Sequence, residues 1–429
     1  MKRVLLCVLV VLAGCGDPGA IADSDGSGDI GRVNGYAYDD PVAVNVTDGL
    51  NGSEREAVVS RAMARVERLR ELEFERDVDV RLMTRAEYRA NRSGGSDGGT
   101  HAEWNDQVWE GLFLVGEGRP AAGVLDDTLG SSVLGYYAAG SDELVIVADG
   151  DQPVLARGTL VHELVHALQD QQFGLDESPD TQDRQLARNG VVEGEANLIE
   201  ARYEQRCGQE WDCIDTPPRA GSGGGDVDRG VLLVVLMPYL SGPDFVTAIE
   251  RRGGWAAVDD LHDSYPVSTE QILDPSTYSD DTPVNVTVPD RSSGDWHRFD
   301  HDPVADTVGR ASIHAMFYQN GIEAASVQRY SYAHPAAEGW DGDALVPYRN
   351  GDRRGYVWET AWESPDEARQ FADAYRKLLE SKGATVEGSV AVIPESSPFG
   401  DAFRVTREGT RVRVVNGPAR GALPEIHAG

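Results

Sequence analysis

The stretch VHELVHALQDQQFG, residues 161–174, holds His162, Glu163 and His166 in the order H-E-x-x-H. Histidines four apart on a helix stand one above the other, so this pair can present both imidazoles to one metal ion. Glu163, beside the first of them, is placed to receive a proton from water activated at that ion. Val161, Leu164, Val165 and Leu168 follow the i, i+3, i+4, i+7 spacing and give the same helix a buried face. The plainer alternative is two histidines on the solvent-facing stripe of an ordinary amphipathic helix.

Catalytic zinc sites use three protein ligands and keep the fourth position for water or substrate. A third candidate lies 27 residues after His166, in VVEGEANLIEA. Two long helices packed side by side would bring Glu193 or Glu195 onto the metal.

With these two segments the sequence resembles the zincin metallopeptidases, and within them the gluzincins, whose third ligand is a glutamate on a second helix. Several gluzincin groups carry it in an E-G-x-A pattern, matched here by Glu193-Gly194-Glu195-Ala196. The resemblance implies Zn2+ held by His162, His166 and Glu193, and peptide hydrolysis with Glu163 as general base, passing a proton to the leaving amine. Thermolysin-like members have an Asp four residues after the ligand glutamate; here that position is Asn197, which can bond a ring N–H but is not a carboxylate. The likeness extends to the strand pair before the first helix, since zincins set an edge-stranded sheet beside it. It covers about residues 50–210. HELVHALQDQ followed by VEGEA also resembles a group of exported prokaryotic zincins, for which it supplies a fold and no substrate.

A zinc peptidase also needs a donor for the oxyanion of its transition state. Tyr239, His262 and Tyr265 are candidates, each read more simply as a core or surface aromatic. Ser268, three residues before Gln271, reads as a helix cap, with Glu270 as a lesser site candidate.

The elements that must position these groups are legible in outline. SEREAVVSRAMARVERLRELEF (53–74) has helical spacing with a Ser53/Glu56 capping box, and DVDVRLM (77–83) alternates as a strand. Two antiparallel strands are predicted near 133–137 and 143–148, then a helix over 153–173 with Gly174 as its stop, and a second over 181–205 interrupted by Gly190 and Gly194. Residues 216–230 read as a loop; GVLLVVLMPYL starts a buried helix, and 245–261 continue the helical character. Beyond residue 295, strands at 344–349 and 356–362, a helix capped by Ser364, and the pair FRVT and RVRVVN suggest a β-β-α-β-β unit without evident chemistry. The expected fold class is α+β: a zincin-like metallopeptidase domain over 35–294 and a smaller C-terminal α+β domain over 295–429.

The N-terminus bears on compartment. Residues 1–14, MKRVLLCVLVVLAG, have the basic start, apolar run and small-residue end of a signal peptide, too short to span a membrane. Leu12 to Cys15, LAGC, resembles the lipobox of prokaryotic lipoproteins, which implies cleavage before Cys15 and a lipid upon it. Residues 15–34 then read as a flexible tether, and the chain is expected on the outer face of the cytoplasmic membrane. Cys207 and Cys213 read as a small disulfide loop, suited to an exported chain. Four N-x-S/T sequons, at Asn45, Asn51, Asn91 and Asn285, are compatible with surface glycosylation.

The 429-residue chain has 39 basic and 72 acidic residues, a formal net charge of −33, and removing Lys2 and Arg3 with the signal makes it 37 − 72 = −35. Only Lys2, Lys377 and Lys382 are lysines, which resembles proteins of extreme halophiles. In about 1 M salt the Debye length falls to about 3 Å and the self-repulsion is screened. Nucleic acid is not an expected partner, because phosphates need cations the surface lacks. Three functions remain: a lipid-anchored zinc peptidase acting on peptide or protein substrates, a surface-anchored zinc-binding interaction module without turnover, and an assembly or processing factor whose C-terminal domain docks a partner that its peptidase site alone cleaves. The presence of Glu163 favours the first over the second, since a purely structural site does not need it.

Overall fold

The computed structural model describes residues 30–428 apart from 42–43, 45–49, 93–98, 131–132, 149–154, 176–177, 215–226, 324 and 326. The signal segment, Cys15 and the sequon at Asn45 lie outside the described residues.

A hairpin of β1 (Arg32–Val33) and β2 (Tyr36–Ala37) packs on α1 (Gly52–Arg70), so residues 32–33, read above as tether, are folded against the body. Next come β3 (Asp79–Thr84), α2 (Arg85–Arg92), α3 (Thr100–Gly111), α4 (Ala121–Gly130), β4 (Gly135–Ala138) and β5 (Glu143–Ala148). The helices α5 (Arg157–Phe173), α6 (Gln182–Arg206), α7 (Arg229–Val235), α8 (Met237–Asp263) and α9 (Thr269–Leu273) follow. The rest comprises β6 (His297–Arg298), α10 (Gly309–Gln319), β7 (Trp340–Asn350), β8 (Arg353–Trp362), α11 (Pro365–Ser381), β9 (Thr385–Glu387), β10 (Val390–Val392), β11 (Ala402–Glu408), β12 (Arg411–Gly417) and α12 (Leu423–Ile426). The fold is α+β.

A three-stranded sheet, in the order β3-β5-β4, lies over α5. The β4–β5 pair is antiparallel, as the turn signal implied, while β3 runs parallel to β5. Its inward residues join α1, α5 and α6 in one core that includes Met63, Leu144, Leu160, Val165 and Ile199. The C-terminal sheet is antiparallel throughout, in the order β6-β7-β8-β12-β11-β10-β9. It adds a β9–β10 hairpin, turning at Gly388 with φ +65°, to the expected β-β-α-β-β order. Ser364 caps α11, its Oγ accepting from Glu367 N at 3.3 Å. A large core runs without a break across residues 294–295, with Trp109, Val191, Phe245, Met316, Trp358 and Phe371 in one cluster.

Two local expectations change. The cap of α1 is Asn51 with Glu54, not Ser53 with Glu56: Asn51 Oδ1 accepts from Glu54 N and Glu54 Oε2 from Asn51 N, both at 3.0 Å. Gly190 and Gly194 do not interrupt α6, which is continuous from Gln182 to Arg206. They let α8 cross at backbone distance: a Cβ on Gly194 would overlap Gly242, and one on Gly242 would overlap Gly190 O. This close crossing fixes α6, and with it Glu193, against the α8 scaffold.

Where α6 meets the C-terminal sheet, Asp183, Asp306 and Asp343 are buried close enough to repel one another. Asp343 Oδ1 and Oδ2 accept from Val308 N and Gly309 N at 3.0 Å each, where α10 starts, and Asp306 Oδ1 accepts from Gln182 N at 2.8 Å, where α6 starts. Burial, only partly offset by these bonds, raises Asp183 and Asp306 to about 7 and Asp343 to about 6. The unfolded chain has ordinary Asp values near 3.8, so between there and about pH 7 the folded state holds more protons. Stability conferred by these groups is therefore full at acid pH and falls as pH rises through that window. In molar salt the unfolding free energy should be at least about 1 kcal/mol higher at pH 5 than at pH 8. Urea titrations should show that difference, and Asp306→Asn should shrink it.

Candidate metal centre

The sequence of α5 places His162 and His166 one turn apart, facing α6, and the two helices pack along their length. Glu193 on α6 meets both. Its Oε2 lies 3.2 Å from His162 Nε2 and 3.3 Å from His166 Nε2. Ligand atoms of the three residues all lie within 4.8 Å of one another, a spacing that a tetrahedral zinc shell can close with small side-chain movements. The exposures of His162, Glu163, His166 and Glu193 are 0%, 1%, 0% and 3%.

An oxygen also stands on the far side of each imidazole, hydrogen-bonded to the ring at His166. Glu200 Oε2 lies 3.4 Å from His162 Nδ1, two helical turns beyond Glu193. Gln169 Oε1 lies 2.9 Å from His166 Nδ1. Both imidazoles thus turn Nε2 toward Glu193 and Nδ1 toward an oxygen acceptor, the orientation that outer partners impose on metal-binding histidines. Asn197, at the position expected to reach the first histidine, instead donates to Tyr239 O at 3.2 Å; the carboxylate that sits at that ring is Glu200.

Glu195 faces the other way. Its Oε2 accepts from Gln169 Nε2 at 3.0 Å and lies 2.8 Å from His262 Nε2, while Oε1 pairs with Arg70 Nε. Gln169 Nε2 also reaches Val192 O at 3.0 Å. A chain of contacts therefore runs from His166 through Gln169 and Glu195 to Arg70 and His262.

Of the remaining candidates, His262 and Tyr265 are bonded to each other, His262 Nδ1 to the Tyr265 hydroxyl at 3.0 Å, behind Glu195. Tyr239 packs beside a small cluster of Met83, Tyr88 and Val133. Ser268 caps α9, its Oγ accepting from Gln271 N at 3.4 Å, and Glu270 stands 3.5 Å from Arg310. Of these, His262 reaches the neighbourhood of the centre through Glu195. Cys207 and Cys213 are bridged, with Cα atoms 5.5 Å apart.

Electrostatics separate the two carboxylates beside the histidines. Burial opposes ionisation of Glu193, but the neighbouring charges of His166 and His162 and the hydrogen bond with His162 hold it well below the ordinary range. Glu163 has no such bonds; burial raises it to about 7 against the pull of His162 and His166. Burial likewise disfavours a charged His162, but hydrogen bonding to Glu193 and Glu200 outweighs it and lifts the ring to about 10.

The donor set fits a zinc ion. Both Glu163 oxygens and His166 Nε2 are buried without a hydrogen-bond partner, an arrangement that costs free energy unless something polar completes it. Two imidazoles and one carboxylate are borderline donors of the kind zinc takes in catalytic sites. Beside them β4 comes close at Gly135, where a Cβ would stand 3.2 Å from Glu163 Cγ and 2.7 Å from Thr159 Cγ2. The missing side chain lets the sheet edge lie directly over Glu163.

A family model described as Domain of unknown function (DUF8575) matches residues 297–427, which comprise the C-terminal sheet and not the histidine centre. No curated protein and no solved structure matches the chain.

Proposed function

We propose that the chain is a zinc-dependent peptide hydrolase in which His162, His166 and Glu193 hold the metal and Glu163 is the general base. The observation that carries this reading is Glu163 itself: a buried carboxylate beside three convergent donors, with neither oxygen bonded to the protein. A centre that served structure alone would gain nothing from leaving that group unpaired. A zinc ion bound there supplies Lewis acidity to water and to the scissile carbonyl. Glu163 takes the proton of the attacking water and delivers it to the leaving amine. Glu200 and Gln169 keep the imidazoles turned so that each offers Nε2. The sheet-edge backbone near Gly135 offers an extended substrate hydrogen-bonding groups beside Glu163. Each of the four central side chains is at most 3% exposed, so a polypeptide reaches them only after the covering segments part.

Supporting the finer fold reading are the strand order, with β4 at the sheet edge over the histidine helix, and the second helix bringing Glu193 in. We further place the chain outside the cell, anchored through a lipid on Cys15 and adapted to high salt; the bridge between Cys207 and Cys213 and the charge of −33 support this.

Chelation provides the test. In molar salt, treatment with a strong zinc chelator should lower hydrolysis of an unstructured protein such as casein by at least about a hundredfold. Restoring one equivalent of zinc should return it. Hydrolysis that survives removal of all measured zinc would refute the proposal.

A further inference from the structure

One of the four N-x-S/T sequons, Asn285-Val286-Thr287, lies in TPVNVTVP, residues 282–289, a run without a charged residue in a chain of net charge −33. These residues form neither helix nor turn, and they run beside the start of β7. Val284 N donates to Asp341 O at 2.7 Å, and Val288 O accepts from Arg298 Nη2, so the segment is held at both ends. Val286 and Val288, 8% and 7% exposed, turn inward and join Trp296, Ala344 and Tyr348 in one apolar cluster. Asn285 and Thr287 alternate with them and are exposed. Residues two apart share a face where the chain alternates in this way, so the amide and the hydroxyl of the sequon point outward together. Among the described residues neither side chain makes a hydrogen bond.

The other sequons are placed differently. Asn51 caps α1, its Oδ1 accepting from Glu54 N, and Asn91 lies on α2 with Nδ2 3.9 Å from Met83 Sδ. On a helix, residues two apart do not face each other, which separates amide from hydroxyl. Asn45 lies outside the described residues.

We propose that Asn285 carries an N-linked glycan, added outside the membrane by a transferase that takes the sugar from a lipid-linked phosphate. The bond from sugar C1 to Asn285 Nδ2 forms as the C1–O bond to the phosphate breaks. The lipid phosphate leaves and one amide proton is released, so no oxidant or reductant is needed. The proposal rests on the placement of the chain outside the cell and not on the metal centre. A glycan here hydrates a stretch that lacks the acidic groups found elsewhere, and it shields Val284, which is 43% exposed beside the sheet. Uncharged, Val-rich segments with strand-like alternation are places where chains pair and aggregate.

Mass spectrometry of the chain purified from its native cells tests this, because one digest reports both the N-terminus and Asn285. Trypsin releases residues 253–291 as one peptide, since no Lys or Arg lies between Arg252 and Arg291. Electron-transfer fragmentation then locates the sugar. Most copies should begin at Cys15 and carry sugar on Asn285. Thr287→Val keeps the shape of the side chain and removes its hydroxyl; it should abolish occupancy, while Thr287→Ser should retain it. Zinc content should be unchanged in both. Chains that begin at Cys15 but are bare at Asn285 would overturn the proposal and leave the outside placement standing. Chains that keep residues 1–14 and are bare at Asn285 would overturn both. Occupancy that persists in Thr287→Val would also contradict it, since the sequon would then not be what the transferase reads.

Discussion

Glu163→Gln will lower hydrolysis by about 10²–10⁴-fold while leaving bound zinc and thermal stability close to wild type. The substitution keeps size and shape and removes only the ability to accept a proton. Both Glu163 oxygens lack a partner in the fold, so no structural hydrogen bond is lost. The metal donors are His162, His166 and Glu193, whose atoms converge without Glu163. Loss of rate can therefore be assigned to proton transfer once zinc content and melting temperature are seen to hold. A variant that cleaves as fast as wild type would remove Glu163 from the mechanism.

Arg70→Met should cost about 3–5 kcal/mol of stability, as does the breaking of other buried ion pairs. Arg70 is fully buried; its guanidinium pairs with Glu195, lies 2.5 Å from Asp259 Oδ1, and stacks 4.4 Å over the ring of Trp255. Methionine fills much of the volume but leaves Glu195 buried with only Gln169 and His262 to bond it. The burial that opposes ionisation of Glu195 is overcome first by the charge of Arg70, so that charge is the one the site cannot spare. Adding Glu195→Gln to Arg70→Met should recover part of the loss, because no uncompensated charge then remains. Denaturant titrations in molar salt would measure both. A loss below about 1 kcal/mol for the single variant would mean that the pair is not what holds α1 to α6.

The same network marks how far the sequence could be read. The spacing of His162 and His166 is local, so helical periodicity alone placed them on one face. Glu193 and Glu195 sit about 200° apart around a helix, which means that only one can meet the two histidines. Sequence leaves open which, because the answer depends on the packing of a second element. The partners that occupy Glu195 come from 125 residues before it and 67 residues after it, beyond any local pattern. Gln169 and Glu200 carry a local signal: three residues from His166 and seven from Glu193, they fall on the same helix faces as the groups they serve. The glycines of α6 were legible as unusual but not as a crossing point, since Gly242 lies on another helix. Strand pairs joined by short turns were recovered, as were the Ser364 and Ser268 caps. The parallel register of β3 on β5 was not, because 58 residues (85–142), β4 among them, separate those strands and no periodicity reports their pairing.

The most direct measurement is the number of zinc ions bound per chain by the purified protein in molar salt, beside His166→Ala and Glu193→Ala. The account predicts about one zinc in the wild type, and its loss or marked weakening in both folded variants. A folded wild type that binds no zinc, or a Glu193→Ala variant that keeps it undiminished, would contradict the three-residue centre.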